Sequence, residues 1–220
     1  MIANAQNLIP AANAIDHLLL GAPDLDRGIA WLEERTGVKA AIGGVHPGRG
    51  TRNALVALGG RRYLEVIAPD PAQSTYNFPI DIRQLVEPRL VNWAAATTNI
   101  EATAARARAT GLQVTGPQDG SRQTPSGRVL RWRTLNIVSE CGGNSIEPIP
   151  FFIQWAADSP HPSQDSPTGC ELQSFQIAHT NSPALARAFE GLGIEARITQ
   201  TASVRLTATL RTPKGIVEIS

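Results

Sequence analysis

Cysteine is nearly absent from this chain, which has only Cys141 and Cys170. Two thiols so irregularly placed exclude a disulfide framework and a zinc knuckle, and read as ordinary thiols of a reducing compartment. Lysine is equally scarce: Lys39 and Lys214 are the only two, and the arginines form no cluster or stripe. With a formal net charge of +1, a nucleic-acid partner is not expected. No run approaches the about 18 apolar residues of a membrane span. The opening MIANAQNLIPAANAID lacks the basic region and continuous apolar run of a secretion signal. It reads as a short arm, and the protein as cytoplasmic. Signatures of a Ser/His/Asp or Cys/His nucleophile are also missing. What is present is a globular composition, 42% hydrophobic and 18% charged over 220 residues, enough for one large domain or two small ones.

The order of elements repeats. Ile15–Leu20 is an apolar strand ending at Gly21-Ala22-Pro23. Asp24 caps a helix whose Leu25, Ile29 and Leu32 recur at helical spacing, and Gly37 ends it. A short strand near Val38–Ile42 leads to the Gly-rich loop GGVHPGRGT, and Asn53–Leu58 and Tyr63–Ile67 form a strand pair around Gly59-Gly60. The same β-α-β-β-β order returns from Leu90–Thr97, through a helix capped by Asn99, to Leu112–Thr115, Arg128–Ile137 and Ile146–Trp155, with PQDGSRQTPSGR as a polar loop. A third, weaker copy has a strand at Leu172–Ala178, a helix opened by Ser182-Pro183, and strands at Glu195–Thr199, Val204–Leu210 and Ile216–Ile219. The modules therefore span 14–69, 89–155 and 170–220. Asp70–Pro88 and the Pro/Ser-rich Ala156–Gly169 are connectors, and His161 falls in the second of them, on its surface.

The opening IDHLLLGAPDLDRGIAWLEERTGV, the stretch GGVHPGRGTRNALVALGGRRYLEVIAPDP and the later PIPFFIQW resemble glyoxalase-like domain proteins of bacterial type. These belong to the vicinal oxygen chelate superfamily, which includes glyoxalases, bleomycin-resistance proteins and dihydroxybiphenyl dioxygenases. The resemblance covers roughly residues 15–180. It implies an α+β fold in which paired β-α-β-β-β modules curl mixed sheets around a cleft. The third module would pack against the pair or contribute to a homodimer. It further implies a divalent metal, Zn, Mn, Ni or Fe, held by residues on the first and last strands of each paired module. The matching positions are His17 and Glu65 in the first module and Asn92 and Glu147 in the second. His17, Glu65 and Glu147 would be metal ligands, and Glu147 would also be the catalytic proton carrier.

Around them, His46, Thr51 and Asn53 follow the Gly-rich loop beside a strand that lines the cleft, and with Asn92 and Trp93 are candidate substrate contacts. The loop is no Walker motif, since it lacks the Lys-Ser/Thr ending and a following helix. Read from the residues alone, His17 is a core or rim histidine, Glu65 on an alternating strand faces either cleft or solvent, and Trp93 is either core or pocket wall. The leading function is a metal-dependent lyase or isomerase acting on a small oxygen-rich metabolite. One alternative is a metal-free, non-catalytic ligand-binding or resistance-type protein. Another is an extradiol-type dioxygenase, which requires a second His near His17.

Overall fold

The computed structural model describes residues 8–143 and 145–220. The expected N-terminal arm lies outside the described residues up to Asn7. From there the chain forms a two-residue strand β1 (Ile9–Pro10) and one helical turn α1 (Ala11–Ala14). The first β-α-β-β-β run is β2 (Ile15–Gly21), α2 (Leu25–Thr36), β3 (Ala41–His46), β4 (Thr51–Ala57) and β5 (Tyr63–Pro69). The second is β6 (Arg89–Ala96), α3 (Ile100–Ala109), β7 (Gln113–Gln123), β8 (Val129–Val138) and β9 (Phe151–Trp155). The remainder is β10 (Glu171–His179), α4 (Ser182–Leu192), β11 (Ile194–Glu195), β12 (Ile198–Gln200), β13 (Arg205–Thr212) and β14 (Gly215–Ile219).

The first two runs merge into one eight-stranded sheet of order β3-β4-β5-β2-β6-β9-β8-β7. Each half pairs its first strand in parallel with its last, β2 with β5 and β6 with β9, and the halves meet antiparallel at β2–β6. The sheet curls until its edge strands approach, and Arg122 on β7 donates to the backbone carbonyl of Gly43 on β3. This is the α+β, glyoxalase-like architecture that the repeat and the resemblance imply.

Alternation along the strands separates two environments. Leu18, Leu20, Val56, Leu64, Val66, Trp93 and Leu135 point to the convex side and join one large core. The buried stripes of α2 (Leu25, Ile29, Leu32) and α3 (Ile100, Ala104, Ala107) cover that core. Asp24 accepts from the Arg27 amide, Asn99 from the Ala102 amide, and Gly37 ends α2 with φ 75°, so both helices start where capping chemistry places them. For α4 the cap is Asn181, one residue before the Ser182 expected from sequence, because its carboxamide accepts from Ala184 N–H.

Three other departures have local causes. The polar stretch PQDGSRQ belongs to the long edge strand β7, because β8 supplies a complete ladder from Gln113↔Val138 to Gln123↔Val129 apart from one irregularity. Strand β9 starts at Phe151 rather than Ile146. Pro148 and Pro150, just before it, have no amide hydrogen for a ladder. The third run adds the two-residue strand β11, which pairs with β1, and its sheet has the order β12-β10-β13-β14, so its first strand, β10, lies between β12 and β13 and not beside its last strand as in the other two runs.

This four-stranded sheet, the third in the chain after the β1–β11 pair and the main sheet, is tied to the main one through Trp93. This side chain is fully buried, stacks on Phe189 of α4 with ring centroids 6.1 Å apart, packs on Phe175 of β10 and donates its indole N–H to Pro148 O. Connector 70–88 packs Ile80, Ile82 and Leu85 against Leu19, Ile67 and Val91 at one end of the concave face. Both cysteines are free. Among the described residues, no helix is long and apolar enough to cross a membrane.

Trp93→Ala should lower the unfolding free energy by about 3–5 kcal/mol, as for other buried aromatic truncations. Urea denaturation of the variant beside the wild type measures this. A loss below about 1 kcal/mol would show that the two sheets do not depend on this ring.

Candidate functional site

The concave face encloses a cavity of about 340 Å³, at the lower end of the range typical of small-molecule sites. Every second residue of several strands faces it: His17 and Leu19 on β2, Thr51 and Asn53 on β4, Tyr63, Glu65 and Ile67 on β5, and Phe151, Ile153 and Trp155 on β9. Trp132, Thr134 and Asn136 of β8 complete the far wall, with Arg122 of β7.

The site is organised by Asp16, a residue with no sequence signature. The β2–β6 register shifts between Ile15 and His17, so Asp16 occupies a bulge. A bulge suspends the pleat and re-aims a side chain. Here it lets adjacent residues meet: His17 Nδ1 lies 2.8 Å from Asp16 Oδ1. The other oxygen, Oδ2, accepts from Trp155 Nε1 at 3.1 Å and pairs with His161 Nε2 at 3.2 Å. His161 belongs to the Pro/Ser-rich connector expected at the surface, yet only 2% of it is exposed. The Ser163 amide donates to its Nδ1, so its Nε2 carries the hydrogen and donates to Asp16. Burial alone would raise the Asp16 pKa, but the hydrogen bonds from His161 and His17 outweigh it and hold the value at about 2. Asp16 is therefore a carboxylate that accepts from three side chains.

That charge orients His17. With its Nδ1–H committed to Asp16, Nε2 faces Glu65 Oε2 at 3.5 Å. Tyr63 stacks on the imidazole at 4.5 Å and Phe151 meets it edge-on, so the ring is fixed on both sides. On the other side of Glu65, His46 Nε2 lies 3.6 Å from Oε1. Asn53 Nδ2 donates to the same Oε1 at 2.6 Å and lies 3.2 Å from His46 Nε2, while His46 Nδ1 bonds Thr51 Oγ1 at 2.9 Å. The amide orientation of Asn53 follows from this, because a flipped carbonyl would face the Glu65 carboxylate. Its Oδ1 is buried with no hydrogen-bond partner among the described residues and packs over Gly43, where an added Cβ would come within 2.3 Å of it. Burial pushes the His46 pKa down, and the charges of Arg122 and Arg49 add to the effect against Glu65. His46 is thus a neutral imidazole at neutral pH.

The structure brings His17, Glu65, His46, Thr51, Asn53 and Asn92 to one cavity. Asn92 turns inward, but its Oδ1 accepts from the Trp93 amide at 2.6 Å. Two expected residues lie elsewhere. Trp93, one position along from Asn92 on β6, points into the core. Glu147 precedes β9 and does not line the cavity; it accepts from Ser139 Oγ and the Ile149 amide, each at 2.9 Å. Burial raises its pKa, and those two hydrogen bonds work against the rise. The residues missing from the sequence reading are Asp16, Tyr63, His161 and Arg122. Only the period-two continuation from Glu65 signalled one of them, Tyr63.

A resident divalent cation does not fit this donor set. His17 and His46 approach opposite oxygens of Glu65 instead of converging with it on one point, and the Asn53 amide hydrogens occupy the space between Oε1 and His46. Among the described residues, no group of three or more His, Cys, Asp or Glu is placed to hold a metal ion. The second histidine that an extradiol site requires is close by, but on the wrong side of the carboxylate.

A sequence-family profile described as a glyoxalase-like domain matches residues 15–193. A comparison with curated proteins finds no match. Among solved structures, a hypothetical protein from Staphylococcus aureus is 19% identical over 93% of this chain and 83% of that one, with a TM-score of 0.64. Methylmalonyl-CoA epimerase from Streptomyces coelicolor, in complex with 2-nitronate-propionyl-CoA, is 20% identical over 68% and 99% of the two chains, with a TM-score of 0.47. The Mycobacterium tuberculosis epimerase is 17% identical over 70% and 91%, with a TM-score of 0.44. At such identities the Staphylococcus aureus likeness concerns the fold alone.

The folded-state pKa of Asp16 lies below its ordinary 3.8. Its stabilising contribution is therefore complete above about pH 4 and is lost as the pH falls through about 2. The gap corresponds to about 2 kcal/mol. Unfolding free energies of wild type and Asp16→Asn, measured from pH 5 to 2, should converge by about that amount over the window, since the amide cannot titrate. Parallel profiles would show that the carboxylate is not held in this way.

Proposed function

The chain belongs to the glyoxalase-like domain family, and on that footing we propose that it is a lyase or isomerase that moves a proton on a small oxygen-bearing metabolite, using Glu65 and His17. A fold of this kind hosts many chemistries, so the reading rests on the site. One observation carries it. His17 Nε2 and Glu65 Oε2 face each other at 3.5 Å, while Asp16 takes up the only other ring hydrogen. Two bare acceptors at that distance repel, so the pair is relaxed only when a proton lies between them or when a ligand supplies one. A buried acid–base pair with one member fixed in ring orientation is suited to proton transfer.

In this reading Glu65 takes a proton from a carbon next to a carbonyl, and the electron pair moves onto the carbonyl oxygen. Where that carbon bears a hydroxyl, transfer of the hydroxyl proton to the new oxyanion and return of the carbon proton to the former carbonyl carbon give the isomer, with the carbonyl moved to the first carbon. Departure of a group from the next carbon, carrying the electron pair, gives the elimination product instead. His17 exchanges the proton with Glu65, and Asp16 stabilises the imidazolium formed in passing. Trp155 and His161 are positioning residues that act through Asp16.

One feature favours the non-catalytic alternative: the Asn53 amide already occupies Glu65 Oε1 at 2.6 Å, leaving one oxygen for chemistry. The experiment that separates the two is solvent deuterium incorporation, followed by NMR, into pyruvate, phenylpyruvate, hydroxypyruvate and dihydroxyacetone. The wild type should accelerate exchange into at least one of them. Glu65→Gln should lose about 10²–10⁴-fold of that rate. His17→Gln should lose a comparable factor, and added chelator should change nothing. A wild type that exchanges none of these carbons, or a Glu65→Gln variant with full activity, overturns the proposal.

A further inference from the structure

Among the described residues, no carboxylate lies within ion-pair distance of Arg122, a buried cation. Only 6% of it is exposed, and its guanidinium is part of the cavity wall. Among the described residues, its side-chain hydrogen bond goes from Nη1 to the Gly43 carbonyl, where the two sheet edges meet. Arg52, Arg83, Arg128, Arg131, Arg133 and Arg211, by contrast, each lie within ion-pair distance of a carboxylate. Within the cavity, Glu65 accepts from Asn53 and faces its two flanking histidines, and it lies beyond ion-pair distance of Arg122. The other acid in the wall, Asp119, has a side chain 91% exposed and lies 3.4 Å from Arg133. A buried charge is costly to leave unpaired, so a partner arriving with the ligand is the natural complement. A guanidinium presents five N–H donors in a planar fork that matches a carboxylate. One is engaged by Gly43, and the clamp between β3 and β7 holds the fork in place before any ligand arrives. Arg49, on the exposed loop beside the cavity, adds a second positive charge at the mouth.

We propose that Arg122 is the carboxylate receptor of the cleft, and that its ligand is a small organic acid with an apolar or aromatic body. Leu19, Ile67, Phe151, Ile153, Trp132 and Trp155 provide the apolar wall for that body. With the carboxylate on Arg122, the atoms next to it lie in the same cavity as Glu65 and His17, which makes 2-oxo and 2-hydroxy acids the substrate class. That class assignment rests on the proton-transfer reading of the same cleft. The anion site itself is a matter of binding and does not require turnover.

The test is equilibrium binding of phenylpyruvate, mandelate and benzoate, of the methyl esters of the same three, and of phenyl phosphate. Quenching of the cleft tryptophans and calorimetry give the readout. The wild type should bind at least one acid 10-fold or more tighter than its ester, with a preference that falls as salt is raised. Arg122→Gln should bind acid and ester alike, at the wild-type affinity for the ester, and Arg122→Lys should keep part of the preference. Unchanged ester affinity shows that the variant is folded; should Arg122→Gln fail to fold, the wild-type acid-to-ester ratio and Arg122→Lys decide. Wild-type protein that binds none of the acids, or binds acids and esters equally, overturns the proposal. So does an Arg122→Gln variant that keeps the preference, and tighter binding of phenyl phosphate than of every acid overturns the carboxylate assignment. Selective acid binding without any deuterium exchange would retain the anion site and reject the proton-transfer reading, whereas exchange without acid selectivity would do the reverse.

Discussion

A carboxylate shut away from water has to be surrounded by hydrogen-bond donors, and Asp16 meets this requirement with His17, Trp155 and His161. The three come from β2, from the end of β9 and from the connector that leads to the third sheet. One buried charge thus ties together both halves of the main sheet and a segment that has almost no regular structure. It also gives His17 a definite orientation, and the rest of the site follows from that orientation. Glu65 meets a ring nitrogen with no hydrogen of its own to spare, and Tyr63 and Phe151 hold the ring against rotation. A polar group with this many satisfied partners rigidifies its surroundings, while the same group with one partner removed would be a liability.

A second constraint operates at the opposite side of the cleft. Curling eight strands brings the edges β3 and β7 together, and edges leave backbone groups unpaired. Arg122 occupies that seam by donating to the Gly43 carbonyl. Gly43 serves two purposes there, because its missing Cβ also leaves room for the Asn53 carboxamide that holds Glu65. Closure of the sheet and preparation of the site are thus consequences of the same few residues. The cavity wall thus carries the His17–Glu65 pair and the positive charge of Arg122 together with aromatic and aliphatic side chains.

Much of this was legible in the chain before folding. Capping residues and glycines marked α2 and α3, and the recurring β-α-β-β-β order marked the halves of the sheet. Alternation is also enough to place His17 with Leu19, and Glu65 with Tyr63 and Ile67, on one face. Alternation failed where the backbone departs from a regular ladder. Trp93 and Asn92 were both candidate contacts, but neighbours on a strand face opposite ways, and only the inward one reaches the cavity. Glu147 was expected on the last strand of its module, but the prolines beside it delay that strand, and its carboxylate is satisfied locally by Ser139 and Ile149. The stretch containing Arg122 read as a loop because its residues are polar, whereas an edge strand lining a cleft tolerates polar side chains on both faces.

The sequence by itself determined the elements, their order and the faces that could bury apolar surface, because caps, turns and periodicity act over a few residues. Only the tertiary structure decided which charges meet. Asp16 and His161 are far apart in the chain, as are Gly43 and Arg122, and neither pair has a local signature. Their contact exists because burial leaves a charged or polar group no choice but to find partners within reach, and what lies within reach is set by how the sheet curls.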